Sequence, residues 1–139
     1  MPLPIVVADA NVVLTWFHAE GGERVDAARA VLDAYVDQRI ELVILDLTLY
    51  EVGNVLLRSL SVGADATTTV LEALTDIREP TALTTAERRD AAGLAATHGL
   101  TFYDTAYAAA ARSRGGRLVT FDQELIRAGL GDRPGDVAW

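Results

Sequence analysis

The run Ile5-Val6-Val7-Ala8-Asp9-Ala10-Asn11 sets the reading of the whole chain. Residues 4 to 9 are short, apolar and β-branched, without the three- and four-residue steps of an amphipathic helix, which marks a buried strand. Asp9 ends that strand, and from Asn11 the residues Val12, Val13, Leu14 and Trp16 turn into a short helix stopped by Gly21-Gly22. The pattern recurs near the other terminus, where Leu118-Val119-Thr120-Phe121 runs into Asp122 ahead of a short helix over Gln123 to Ala128. In a parallel α/β sheet the carboxyl ends of the strands and the helix starts that follow them share one edge, so acidic residues in these positions converge in space.

The intervening segments keep the alternation. Residues 23 to 38 form a helix with Val25, Ala28, Leu32 and Tyr35 or Val36 on one face. Glu41 to Asp46 is a second buried strand, followed by helices over Leu47 to Leu60 and Ala66 to Thr75. A brief third strand is expected within Ile77 to Leu83, where Pro80 restricts it to an edge or an irregular start. Thr84-Thr85-Ala86-Glu87 has the spacing of a capping box and opens a helix reaching His98, with Gly99 as its stop. Thr105 to Arg114 is helical, Gly115-Gly116 ends it, and Arg117 to Asp122 is the fourth strand. Residues 129 to 135 read as a loop, and Asp136 to Trp139 is a candidate terminal strand. Strands alternating with helices imply a parallel sheet covered on both faces. A chain of 139 residues, half of them hydrophobic, suits one domain spanning 1–139 with a single core.

Composition narrows the chemistry. There is no cysteine and only His18 and His98, which removes thiolate sites and makes a zinc cage hard to assemble. Any resident metal is therefore bound by oxygen, which suits Mg2+ or Mn2+ and points to phosphate chemistry. The Met1-Pro2-Leu3-Pro4 start lacks a basic leader, and no apolar stretch approaches the roughly 20 residues of a membrane span, so a cytoplasmic protein away from the membrane is expected. A net charge of −8 opposes binding to a polyanion. All twelve basic residues are arginine, however, and Arg112, Arg114 and Arg117 cluster before the strand that carries Asp122. A basic rim of Arg112 and Arg114 beside an acidic centre is the expectation, because guanidinium forks match phosphate oxygens. Solvated surface arginines are the ordinary alternative.

Asp9, Glu51, Asp104 and Asp122 each sit where an apolar run meets a helix start. Singly, each has a structural explanation. Asp9, Asp104 and Asp122 suit helix N-caps, and Thr48 to Glu51 matches a capping box. Together they read as a cation site. Asn54 lies one helical turn beyond Glu51, Asn11 two residues beyond Asp9, and Thr120 two residues before Asp122 on the same side of its strand, so each carboxylate but one has a polar companion. Asp46 also ends an apolar strand and is assigned to the turn or cap before the helix from Leu47. His18 and His98 read as loop and helix-end residues, and Trp16 and Phe17 as core.

The ordered segments Ile5 to Asn11, Leu49-Tyr50-Glu51-Val52-Gly53-Asn54, Leu100 to Ala111 with its Tyr103-Asp104 start, and Leu118-Val119-Thr120-Phe121-Asp122 resemble PIN-domain ribonucleases, in particular the VapC toxins of toxin–antitoxin pairs. The likeness covers essentially the whole chain. It implies a three-layer PIN-like α/β fold, with a central parallel sheet of order 3-2-1-4-5 and helices on both faces. It also implies Mg2+ or Mn2+ held by Asp9, Glu51, Asp104 and Asp122, a supporting hydroxyl at Thr120, and polar roles for Asn11 and Asn54. An RNA substrate, a homodimer and a small antitoxin seated in the active-site groove follow from the same resemblance. Asp46 departs from the pattern, standing where such toxins more often carry a small or apolar residue followed by Pro.

The expected activity is endonucleolytic hydrolysis of RNA by a metal-activated water. Receiver domains and haloacid-dehalogenase-like phosphatases share the acidic α/β edge but rely on a lysine that this chain lacks. A PIN-like module that binds RNA or protein without cleaving it is the remaining alternative, and four filled acidic positions count against it.

Overall fold

The computed structural model describes residues 2–17 and 21–139; His18 lies outside them. Strand β1 (Ile5–Ala8) is the centre of a parallel sheet, flanked by β2 (Glu41–Val43) and β3 (Arg117–Val119). Val6 pairs with Leu42 on one side and with Arg117 on the other. Val6, Val7 and Ala8 are all fully buried, and because successive strand side chains point to opposite faces, both faces of β1 must be covered.

The outer strands are reduced to single bridges. Thr81 pairs in parallel with Leu45, its N–H donating to the Ile44 carbonyl at 2.9 Å and its carbonyl accepting from Asp46 at 3.0 Å. On the far side Asp132 pairs with Val119. Counting these bridges as positions 3 and 5 gives the expected order 3-2-1-4-5, with three true strands rather than five. Pro80 offers no N–H and confines the first bridge to one residue. The second forms where Gly131 presses on the sheet: a Cβ there would stand 2.8 Å from the Thr120 methyl. The candidate terminal strand 136–139 is thus corrected, since pairing ends at Asp132 and Pro134–Asp136 is a 3-10 turn.

Among the described residues, seven α-helices fill the connections: α1 (Ala10–Phe17), α2 (Glu23–Val36), α3 (Asp46–Asn54), α4 (Ala64–Ile77), α5 (Thr85–His98), α6 (Phe102–Ser113) and α7 (Gln123–Arg127). Helix α3 widens into a π-turn at Val55–Ser59, where Leu60 N–H reaches back to the Val55 carbonyl at 3.0 Å. The capping box of α5 is formed in both directions, Glu87 N–H to Thr84 Oγ1 at 3.1 Å and Thr84 N–H to Glu87 Oε1 at 2.8 Å. Gly99 closes that helix at φ 65°, a left-handed conformation that glycine adopts without strain. Helix α6 packs on β1 and β3, and Ala106 to Ala111 are all buried; small side chains let the helix sit close to the sheet. It begins three residues earlier than Thr105, because Thr101 is its N-cap and accepts from Asp104 N–H at 3.1 Å.

Direction along the sheet decides what can meet what. The segment following each strand leaves from the carboxyl edge, whereas a helix leading directly into a strand ends at the amino edge. Helix α6 runs into β3 through Gly115-Gly116, so Asp104 in its first turn is at the carboxyl edge and Arg112 and Arg114 in its last turn are at the opposite one.

Candidate active site

Asp9 leaves β1 at the carboxyl edge. Its carbonyl takes the first backbone bonds of α1, from Val12 and Val13 at 3.0 and 3.1 Å, while its carboxylate turns towards β3. There Thr120 Oγ1 donates to Asp9 Oδ2 at 2.7 Å. The same hydroxyl accepts from Asp122 N–H at 2.9 Å and from Asn11 Nδ2 at 3.3 Å, so its single proton is committed to Asp9. Asn11 completes the tie: its Oδ1 accepts Phe121 N–H at 3.1 Å and its Nδ2 lies 3.5 Å from Asp9 Oδ2. Two ends of the chain are thereby locked across the sheet around one carboxylate that is only 5% exposed.

Glu51 reaches the same place from α3 and Asp104 from the first turn of α6. Asp122 arrives as the N-cap of α7, its Oδ1 accepting from Glu124 N–H at 2.8 Å and Leu125 N–H at 3.4 Å. All four carboxylates line one cavity of about 180 Å3, together with Ala10, Asn11, Leu14, Val52 and Val55. The capping explanation therefore holds for Asp122 alongside its place in the cavity. It does not hold for Glu51: α3 starts earlier, at Asp46, and Thr48 is buried inside the helix with its hydroxyl 3.1 Å from that of Tyr107. Asp46, expected as the turn or cap before the helix, is instead the first residue of α3, its Oδ1 accepting from Leu47 N–H at 2.8 Å, and it does not line the cavity.

Electrostatics register the crowding. Burial, then the charges of Asp104 and Asp122, push Asp9 up to about 6 against the opposing bond from Thr120. Glu51 is pushed up to about 7 by burial and by the charges of Asp9 and Asp104, with a hydrogen bond from Tyr107 opposing. Burial also raises Asp104, helped by Asp122 and Glu124. Burial and crowded like charge act in the same direction on these three carboxylates. The donor set is all oxygen and lines one cavity, as a hard divalent ion requires. Among the described residues, however, no group of three such side chains is placed to hold an ion as the side chains stand.

Three expected contributors are placed elsewhere. Asn54 is exposed at the end of α3 and absent from the cavity, whose wall runs through Val52 and Val55. Arg114 is paired with Glu87 and donates to the Ala110 carbonyl at 2.9 Å; Arg112 lies 3.8 Å from Asp90. Both arginines belong to the amino edge, and the expectation of a rim built from them is corrected on that ground. Conversely, Tyr107 was not anticipated: it is fully buried behind Glu51, one turn beyond Asp104 on α6, and that spacing is the only signal of it in the sequence.

A parallel α/β sheet with acidic side chains gathered at the strand ends is one architectural class, and known proteins locate the chain within it. The PIN domain family matches residues 6–130. Ribonuclease VapC3 of Pyrobaculum aerophilum is 34% identical over 125 residues, 86% of this chain and 91% of the relative. Exonuclease VapC9 of the same organism is 36% identical over 104 residues, 72% and 76% of the two chains. The crystal structure of PAE2754 from Pyrobaculum aerophilum superposes with a TM-score of 0.66 at 28% identity, covering 98% of this chain and 94% of the other. The chain belongs to the PIN-domain family.

Proposed function

We propose that this protein is a divalent-metal-dependent endoribonuclease, the toxin of a toxin–antitoxin pair, and that Asp9, Glu51, Asp104 and Asp122 form its metal site. The observation that carries the reading is the arrival of four carboxylates from β1, α3, α6 and the end of β3 in one cavity. Its two named relatives, a ribonuclease and an exonuclease, support phosphodiester cleavage.

Bound Mg2+ or Mn2+ supplies a water of lowered pKa and positive charge beside the scissile phosphate. The chain's own residues supply position. Thr120 and Asn11 hold Asp9 in one rotamer through Oδ2, which leaves its second oxygen, Oδ1, outside the tie. Asp122 spends Oδ1 on the cap of α7 and keeps Oδ2 for the cavity. Tyr107, whose hydroxyl lies 3.1 Å from that of Thr48, opposes the rise of the Glu51 carboxyl. Leu14, Val52 and Val55 line the remaining wall and limit water around the reacting phosphate.

Partners follow the same reading. A homodimer and a small antitoxin are supported by exposed Tyr50, Leu57 and Leu60 along α3 and its π-turn, apolar area suited to a protein contact. No helix among the described residues is long and apolar enough to cross a membrane. The test is substitution with isosteres: Asp9→Asn and Asp104→Asn should each lower RNA cleavage by at least about a hundredfold while leaving the far-UV circular dichroism unchanged. Full activity in either variant would remove that residue from the site.

A further inference from the structure

An acidic cavity in a chain of net charge −8 needs cations at its mouth if a polyanion is to dwell there. Two arginines meet that need, and neither is near the others in sequence. Arg24 occupies the first turn of α2, and its guanidinium carbon stacks 4.1 Å from the centre of the Phe121 ring. Arg133 donates from Nη2 to Gln123 Oε1 at 2.8 Å. Phe121 and Gln123 are the residues on either side of Asp122, and Phe121 is itself held through its N–H by Asn11 in the cavity wall. The two arginines also share a platform. Helix α2 packs against the turn Pro134–Asp136, close enough that a Cβ on Gly135 would lie 3.6 Å from the Ala27 methyl.

We infer that Arg24 and Arg133 form the phosphate-binding rim of this site, gripping the RNA backbone next to the nucleotide at the four carboxylates. The inference rests on the ribonuclease reading and names how its substrate is held. Both side chains are exposed, so their forks can take phosphate oxygens. Each is also partly ordered by its neighbour, the ring of Phe121 or the amide of Gln123, which lowers the entropy cost of gripping a ligand. Arg112, Arg114 and Arg117 have the same charge but stand at the wrong edge of the sheet, where they pair with Asp90, Glu87 and Asp132.

The experiment measures binding of a fluorescein-labelled 12-nucleotide single-stranded RNA of mixed sequence to the full chain carrying Asp9→Asn, across a salt series in EDTA. Adding Arg24→Ala and Arg133→Ala together should weaken binding about tenfold or more and reduce the slope of log K against log salt by about 1.4, near 0.7 for each phosphate no longer neutralised. Arg24→Lys should restore much of the slope but less of the affinity, because an ammonium keeps the charge without the fork. Arg112→Ala, on the opposite edge, should change neither. In the otherwise unaltered protein, the paired change should raise KM for RNA and leave kcat near its original value. An unchanged slope in the double variant, or a slope lowered equally by Arg112→Ala, would overturn the rim while leaving the ribonuclease reading intact. If the unaltered protein neither binds nor cleaves RNA, that reading fails first and the rim with it.

Discussion

Thr120 has one proton to give and gives it to Asp9, while two N–H groups converge on its oxygen; a single hydroxyl thus fixes the rotamer of the most buried carboxylate. Its neighbour Asp122 serves two roles, and the two can be separated by heat. As a cap alone, Asp122→Asn would be silent, since Asn caps about as well as Asp. As a metal-site carboxylate, it repels Asp9 and Asp104, which its charge helps to raise. Asp122→Asn should therefore melt no lower than the parent in EDTA and gain less on adding millimolar Mg2+, because only binding to the native state stabilises it. Equal gains in the two proteins would count against Asp122 as a ligand. Asp9 and Asp122 were legible in the sequence because each follows the apolar run of a strand, whereas Glu51 comes from inside α3 and Asp104 from the first turn of α6, so their place in the cavity depends on the fold. Tyr107 was barely legible, because in an alanine-rich buried helix only its spacing one turn from Asp104 hints at it.

Helix α5 shows how much an element can declare of itself. Thr84 and Glu87 make a box whose two halves lie three residues apart, so both start and register were readable. Its tertiary use was not: Glu87 is 3% exposed and also receives Ser113 and Arg114 from the end of α6, locking the two helices at the amino edge. Despite burial, these donors hold the Glu87 carboxyl below its usual range. Glu87→Ala should cost about 2 to 3 kcal/mol in urea denaturation, from an orphaned partly buried arginine and a missing cap together. Glu87→Gln, which keeps hydrogen-bonding capacity, should cost less. A loss under about 0.5 kcal/mol for Glu87→Ala, the level of ordinary surface changes, would show the pair to be ornamental. The outer pairings were legible only in part: Thr81 falls within the brief third strand expected over residues 77–83, whereas Asp132 lies in a segment read as loop, because a pairing of one residue carries no periodicity.

Across the whole molecule, the end of a strand that a residue lies near matters more than its closeness in sequence. Arg112 and Arg114 precede β3 by a few residues and lie at its wrong end, whereas Arg24, far away in sequence, is carried to the right one by the return path of α2. The topology also sets a global pH response. Asp9 and Glu51 are pushed up to about 6 and about 7, above their unfolded values, so the native state binds more protons between roughly pH 4 and 7. Their contribution is fully present below the unfolded pKa and is lost as pH rises through the folded one. In EDTA the melting temperature should fall from pH 5 to pH 8 by on the order of 5 °C, and Asp9→Asn should flatten that fall. Mg2+ should recover stability chiefly at the higher pH, where the carboxylates are ionised. A metal-free profile that rises towards pH 8 would contradict the strained acidic site.

On the proposed reading, this cavity cuts RNA internally with a bound divalent ion. A closed circular single-stranded RNA, which has no end for an exonuclease to enter, tests it directly when incubated with the protein in Mg2+ or Mn2+ and in EDTA. The expected result is linear product with a 5'-phosphate and a 3'-hydroxyl in metal, and none in EDTA or with Asp9→Asn. An intact circle in metal, while linear RNA is digested, would make the protein an exonuclease; cleavage undiminished by EDTA would contradict the metal site itself.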